Sequence, residues 1–264
     1  MSRSTRSRKS ASSSGHAVLT RNVAPGIHRL AHAYVNCYLV EDGTGVTIVD
    51  TAFPSTWKHL LAALLECGHS PGDVTAIVLT HGHFDHLGFA ARAASDFAVP
   101  IWLQERDSDI AAHPYRYQHE RNRALYPLFY PRGMRVLAAM AAAGALRVKG
   151  LREVRRMPTS TVLDVPGSPT VVFSPGHTYG HCALFFPDRD AIITGDALVT
   201  LDPYTAQTGA RIIAGAATAD SEMALASLSG LAATGARIVL PGHGEPWRAG
   251  IGAAVSAALA VGAA

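Results

Sequence analysis

The segment Thr80-His81-Gly82-His83-Phe84-Asp85-His86 constrains this chain more than any other. Three imidazoles and a carboxylate fall within six residues, directly after the apolar run 74–80. A helix would spread four such side chains around its circumference, whereas a tight loop at the end of a buried strand can aim them at one point. Neutral imidazole and carboxylate are ligands for a borderline divalent cation such as zinc. Gly82 is expected to let the backbone turn sharply between two ligands. A chance His-x-His-x-Asp-His run is expected in about 1.5 of every thousand chains with this many His and Asp. The run is therefore read as a ligand set and not as an exposed histidine cluster.

Three further segments repeat the design. They are Ser174-Pro175-Gly176-His177-Thr178-Tyr179-Gly180-His181, Thr194-Gly195-Asp196-Ala197-Leu198 and Leu240-Pro241-Gly242-His243-Gly244-Glu245. Each follows an apolar run and carries a ligand-type residue on a loop shaped by Gly or Pro. Ligands at four strand ends are what a site on one rim of a sheet sandwich requires.

The rest of the chain alternates short apolar runs with helical patterns. Strands are expected over 35–40 and 46–49, joined by the turn Asp42-Gly43-Thr44-Gly45. Ser55 is expected to cap a helix over 56–67 with Leu60, Leu61, Leu64 and Leu65 inward, stopped by Gly68. A strand over 74–80, a helix over 85–97 and a strand over 99–103 follow. Residues 105–151 read as a helical insert broken by prolines, with Tyr115, Tyr117, Tyr126, Phe129 and Tyr130 in its first half and a helix over 134–146 in its second. Strands over 161–165, 170–174, 182–186 and 191–194 come next, then a helix over 221–233, a strand over 237–240 and a helix over 248–260. This order suits an α/β, αββα four-layer sandwich: two mixed β-sheets packed face to face, helices outside, with the helical insert.

Composition narrows the partners. The net charge is +3, but Arg3, Arg6, Arg8 and Lys9 lie in the first ten residues, and without them 19 basic residues face 20 acidic ones. The body is near neutral and offers no nucleic-acid footprint. Residues 1–15 are polar and basic and read as a disordered tail; 16–264 read as one domain that includes the insert 105–151. The tail is rich in Arg and Ser but lacks the amphipathic stripe of a transit peptide. No apolar stretch of 18 residues escapes a charge or a turn breaker, so no membrane span is expected. Three cysteines without a Cys-x-x-Cys pair read as buried hydrophobes in a reducing cytoplasm. The expected partner is a small molecule, with neither nucleic acid nor membrane, and a homodimer is compatible with the sequence.

These motifs, taken in order over about residues 16–248, resemble the metallo-β-lactamase-fold hydrolases of the dinuclear type, in the glyoxalase II and lactonase branch. The resemblance implies that His81, His83 and His177 hold one metal and that Asp85, His86 and His243 hold a second, with Asp196 bridging both. It implies two divalent ions, zinc first, with iron or manganese as the alternatives. Asp50, in Val49-Asp50-Thr51, matches an early family aspartate that supports the site from behind the ligands; a turn-capping Asp after a strand is the competing reading. His181 is expected beside the ligands without being one.

A hydroxide shared by two cations needs no Ser or Cys nucleophile, and the chain has no Gly-x-Ser-x-Gly elbow. Asp85, a ligand and also the nearest carboxylate to that hydroxide, is expected to act catalytically by orienting it and moving its proton. The function read here is hydrolysis of an ester, lactone or thioester of a small molecule. Asp196 stands where the β-lactamase branches usually have Cys or Ser, which points away from β-lactams. Arg248 is the one basic residue after His243, where glyoxalase-II-type enzymes carry a basic helical domain for glutathione. Quorum-quenching lactonases commonly have Tyr three residues after the bridging Asp; here that position is Val199 and the nearest Tyr is Tyr204. Tyr126, Phe129, Arg116, Arg121 and Arg123 of the insert are candidates for substrate contact, against plain packing of the insert. The rival readings are a persulfide-dioxygenase-like oxidoreductase with one iron and a phosphodiesterase or nuclease of the same fold.

Overall fold

Residue alternation along the strands builds two apolar faces per sheet, and the structure uses all four. It is a computed structural model that describes residues 17–263; the tail expected over 1–15 lies outside the described residues. In β3 (Val35–Asp42), Val35, Cys37 and Leu39 face one apolar cluster while Tyr38 and Val40 face another. β1 (Val18–Ala24), β2 (Ile27–His32), β3 and β4 (Gly45–Val49) form an antiparallel meander. β5 (Val74–Val78), β6 (Ile101–Leu103) and the two-residue β7 (Arg155–Arg156) add in parallel to complete a seven-stranded sheet.

The second sheet runs β13-β10-β9-β8, from β8 (Thr170–Phe173), β9 (Cys182–Phe186), β10 (Ala191–Gly195) and β13 (Ile238–Pro241). β10 pairs parallel with β13 and antiparallel with β9, so this sheet is mixed as well. Inner faces of both sheets meet in one core that includes Tyr38, Val49, Val78, Leu184, Phe186 and Ile193. Helices α1 (Trp57–Cys67), α3 (Ala90–Phe97) and α6 (Gly133–Ala142) cover the outer face of the first sheet. Helices α7 (Ser221–Ala232) and α8 (Ile251–Val261) cover that of the second. This is the expected four-layer αββα sandwich. No helix among the described residues is long and apolar enough to cross a membrane.

Several local expectations give way to tertiary contacts. Ser55 does not cap α1; its hydroxyl donates to the Ala143 carbonyl at 2.7 Å, and a 3-10 turn over Pro54–Thr56 leads into the helix. α1 buries Trp57, Leu60, Ala63 and Leu64, while Leu65 is 77% exposed and Leu61 only half-buried. The helix expected over 85–97 is two helices, α2 (Phe84–Leu87) and α3. Between them the backbone of Ala52 and Phe53 crosses so closely that a Cβ on Gly88 would stand 2.1 Å from the Ala52 carbonyl oxygen. No strand forms over 161–165, where a lone bridge joins Val162 to Thr170. The helix expected over 134–146 ends at Ala142, and a 3-10 turn follows at Ala145–Arg147. Ahead of it the insert forms α4 (Ser108–Ala112) and α5 (Tyr126–Phe129), each a single turn. β1, β2, β7 and the ribbon of β11 (Val199–Leu201) with β12 (Thr208–Arg211) were not legible as strands.

Candidate metal centre

Strands β4, β5 and β6 run parallel in one sheet, and β8, β10 and β13 run in a common direction in the other. The ligand-type residues follow these strands at their C-terminal ends: Asp50 after β4, His81 to His86 after β5, His177 after β8, Asp196 after β10 and His243 after β13. A backbone hydrogen bond of 2.9 Å from Cys182 N–H to the Thr80 carbonyl joins the two sheets at this rim.

There the structure brings together two buried groups that could each hold a metal ion: His81, His83 and His177, and Asp85, His86, Asp196 and His243. Within each group the ligand atoms lie within 4.8 Å of one another. The Asp196 carboxylate reaches both groups. It lies 4.0 Å from His81 Nε2 and 3.5 Å from His177 Nε2, and also 3.4 Å from His86 Nε2 and 3.1 Å from His243 Nε2. Asp85 Oδ2 lies 3.4 Å from His243 Nε2. Close approach of the β10 and β13 loops demands glycine at 242, where a Cβ would stand 2.2 Å from Asp196 Oδ1. Gly82 does not adopt a positive φ; its N–H is committed to Asp107 at 2.8 Å, and a Cβ there would stand 3.0 Å from the Asp107 carbonyl oxygen.

Hydrogen bonds on the far side of four of the five rings decide which nitrogen faces the cluster. His86 Nδ1 donates to Asp50 Oδ2 at 2.9 Å, and His243 Nδ1 donates to the Tyr34 carbonyl at 2.8 Å. Thr80 donates its hydroxyl to Asp50 and so accepts from His81 Nδ1 at 3.0 Å. Thr218 donates to the Ile213 carbonyl and accepts from His177 Nδ1 at 3.4 Å. The Nε2 atoms of His81, His83, His86 and His177, with Asp196 Oδ1, are buried and have no hydrogen-bond partner. Five buried polar atoms without hydrogen bonds converging in one place are costly unless a cation engages them, taking their lone pairs or displacing the proton that His86 holds. The residues present therefore fit two metal ions.

Asp50 holds His86 directly and His81 through Thr80, from a backbone at φ 59, in the left-handed region that Asp tolerates. His181 uses both nitrogens, accepting the Asp196 N–H at 3.0 Å and bonding to the Ser174 hydroxyl at 2.9 Å. Burial, aided by His177, pushes its pKa down to about 3. Burial likewise lowers His81 and His83 well below the usual value and His177 to about 4. In His86 and His243 burial acts downward too, but the neighbouring carboxylates outweigh it and raise both, His243 to about 10. Asp196 is held well below the usual range, because His243 and His86 outweigh its burial.

The cavity over the groups is ≈ 20 Å³ and is lined by His83, Asp85, His177, Asp196 and His243 on one side. Its other wall is Phe84, Leu137, Met140, Pro203, Ile213 and Ala217, with the rings of Tyr117 and Tyr204. Tyr117 lies over His83 with ring centroids 4.0 Å apart, and its hydroxyl is 3.4 Å from that of Tyr204. Burial raises both phenols, so each stays protonated. The five insert residues singled out from sequence do not line this cavity. Tyr126 is buried against Tyr130, Tyr204, Ala214 and Ala216. Phe129 is 68% exposed, and Arg116 and Arg121 are exposed. Arg123 stands behind Tyr117, 4.1 Å from its ring centre. Val199 is buried in a small apolar cluster beside the site, whereas Tyr204 reaches the cavity. Sequence reasoning named Tyr117 only as one of the insert aromatics and missed Thr218, because neither sits in a ligand motif. It also missed Asp107, which read as the start of the insert.

Fold and site together define a four-layer sandwich with two candidate metal-binding groups at one rim, and the chain belongs to the Metallo-beta-lactamase superfamily, which it matches over residues 32–243. It is 25% identical over 234 residues to a Bacillus subtilis (strain 168) protein named "Probable metallo-hydrolase YflN", covering 84% of this chain and 85% of that one. It is 26% identical over 218 residues to the uncharacterized protein Rv2581c of Mycobacterium tuberculosis, covering 80% and 86%. Among solved structures it is similar to TTHA1623 in a di-iron-bound form, with 25% identity, a TM-score of 0.59, and 85% and 93% of the two chains covered. The fold also matches the metallo-beta-lactamase family protein TTHA1429 of Thermus thermophilus, with a TM-score of 0.62, 24% identity and 88% and 77% coverage.

Proposed function

We propose that this protein is a dinuclear metallohydrolase that cleaves an ester, lactone or thioester bond in a small molecule. The observation that carries this reading is the set of orphaned Nε2 atoms grouped around Asp196 and facing an apolar wall. In this assignment His81, His83 and His177 hold one ion, Asp85, His86 and His243 hold the other, and Asp196 contacts both. Bound there, two divalent cations would polarise a carbonyl and lower the pKa of water toward about 7. Zinc is the first choice for imidazole and carboxylate donors. Iron is the second, because TTHA1623, 25% identical, has a di-iron-bound form; manganese is the third.

The chain's own residues divide the remaining work. Asp85 lines the cavity and is the carboxylate placed to orient water and to take its proton. Tyr117 and Tyr204 present neutral hydroxyls that can donate to a substrate oxygen. Phe84, Leu137, Met140 and Ile213 exclude water and favour an apolar body next to the scissile carbonyl. None of the residues lining the cavity is Lys or Arg, which favours a carbonyl substrate over a phosphodiester. The complete second group, with all four members buried, favours two metals over a single iron. The cavity is narrow, and Tyr117 and Tyr204 form part of its wall.

The test is a panel of initial rates with and without chelator: an acyl-homoserine lactone, an aryl ester, a lactoyl-glutathione thioester, a cephalosporin and a phosphodiester. A chelator-sensitive rate on one of the first three is expected. No rate on any of these, from protein that carries two metals per chain, overturns the carbonyl reading; a rate confined to the phosphodiester does the same.

A further inference from the structure

Asp107 lies just beyond β6, at the rim that carries the ligand groups, yet it belongs to neither group. It is fully buried. Its Oδ2 accepts from Gly82 N–H at 2.8 Å and from the Thr178 hydroxyl at 2.7 Å, and its Oδ1 accepts from Gly180 N–H at 2.7 Å. Gly82 separates His81 from His83. Thr178 and Gly180 lie between His177 and His181. One carboxylate thus ties the loop after β5, in one sheet, to the loop after β8, in the other. Those two loops supply all three imidazoles of the His81, His83 and His177 group.

The fit is built around the carboxylate: a Cβ on Gly180 would stand 2.5 Å from Asp107 Oδ1. All three hydrogen-bond partners are neutral donors, so they orient the group without the looseness of a surface ion pair. The bond from Cys182 N–H to Thr80 also joins the sheets, but it ends before His83 and does not reach His177. A site assembled from loops of two sheets gains affinity when the loops are held at the right separation before the ligand arrives.

We propose that Asp107 is the positioning residue of the His81, His83 and His177 group, holding its two loops in register and so setting the affinity of that group for its ion. The proposal rests on reading the cluster as a metal centre. It concerns this group and not the one formed by Asp85, His86, Asp196 and His243.

The experiment uses full-length protein stripped by chelator and titrated with zinc or cobalt(II) alone, in competition with a chromogenic chelator. Asp107→Asn is nearly isosteric, but in either orientation of its amide the NH₂ faces a backbone N–H, so one tie is lost. In a His243→Ala background, which keeps the first group, Asp107→Asn is expected to weaken binding about 10- to 100-fold and to alter the cobalt absorption spectrum. In a His83→Ala background, which keeps the second group, it is expected to change nothing. Thr178→Val removes one of the three contacts and spares the carboxylate, so it answers the question should Asp107→Asn not fold. About a fivefold loss at the first group, with an unchanged metal-free melting temperature, is expected. Unchanged affinity with a lowered metal-free melting temperature would mean that Asp107 only supports the fold, and the proposal falls. Equal losses in both backgrounds overturn it as well. Wild-type protein that takes up no ion overturns the metal-centre reading itself, a result distinct from either.

Discussion

What a histidine touches on its other side decides whether it is free to serve as a ligand in the proposed metal centre. Asp50, Thr80, Thr218 and the Tyr34 carbonyl each take an Nδ1 proton and leave Nε2 turned to the cluster. His181 shows the converse, since both of its nitrogens are used within the protein. Asp85→Asn keeps the side chain's shape and removes its ability to take a proton. It is expected to lower kcat by about 100-fold or more with little change in melting temperature, read from steady-state kinetics beside a thermal scan. Tyr117→Phe keeps the ring over His83 and deletes one hydroxyl. A fall in kcat/KM of about five- to tenfold is expected; unchanged kinetics would show that the phenol only packs.

At the scale of elements, loops and helices do different jobs. The insert contributes Tyr117, Leu137 and Met140 to the cavity wall, while α5 sits outside it with Phe129 in solvent. The segment 113–125, between α4 and α5, carries Tyr117 and is anchored by Glu120, which accepts from Ser221 N–H at 2.7 Å next to the loop that carries Thr218. The two ligand groups also differ in charge before any metal is bound. His81, His83 and His177 are neutral near pH 7, because burial has pushed them down. His243, against its burial, is raised to about 10 by Asp196 and Asp85, and His86 is raised as well. A cation entering that second group must displace one or two protons at any pH below about 10. Its apparent affinity should therefore rise with pH, by about tenfold per unit for each proton released. The first group should show no such slope above about pH 5. In the metal-free fold the sign is reversed: the raised His243 adds stability below its ordinary value and loses that contribution as pH climbs through about 10. Calorimetric titrations of metal in buffers of different ionisation enthalpy count the protons, and a flat profile at both groups would contradict the assignment.

Across the whole molecule, the rim that carries the candidate ligands is one of the places where the two sheets are fastened. Asn36 and Tyr38 of β3 reach over to the Pro241 carbonyl at 2.8 and 2.7 Å, holding the His243 loop of the opposite sheet. If the two groups hold ions as proposed, ligands from several strand ends would make those ions a cross-link between sheets, and their removal should be felt globally. At a free-metal concentration a thousand times Kd, each ion adds about 4 kcal/mol. For a chain of this size that corresponds to roughly 10 °C in Tm. Calorimetric scans with and without chelator check this; a shift below about two degrees in fully loaded protein would mean that the ions do not bind preferentially to the native fold.

Much of this was legible from the chain alone, for a local reason. Ligand chemistry needs particular residue types, tight loops need Gly or Pro, and buried strands need period-two apolar runs, so the segments at His81, His177, Asp196 and His243 announce themselves and imply the sandwich. What the chain by itself does not determine is decided by contacts distant in sequence. Leu65 has the right spacing for the inner face of α1 and lies in solvent, because Trp57 and Ala63 turn the helix. The run 85–97 has helical periodicity throughout and breaks where Ala52 crosses Gly88. Tyr126 and Phe129 are as aromatic as Tyr117, and only the path of the segment 113–125 puts Tyr117 over His83. Asp107 carries no local signal, since its three partners lie 25 to 73 residues away. Chemical identity is a property of each residue and can be read one at a time; which surfaces meet depends on the closing of the two sheets, and that belongs to the tertiary structure.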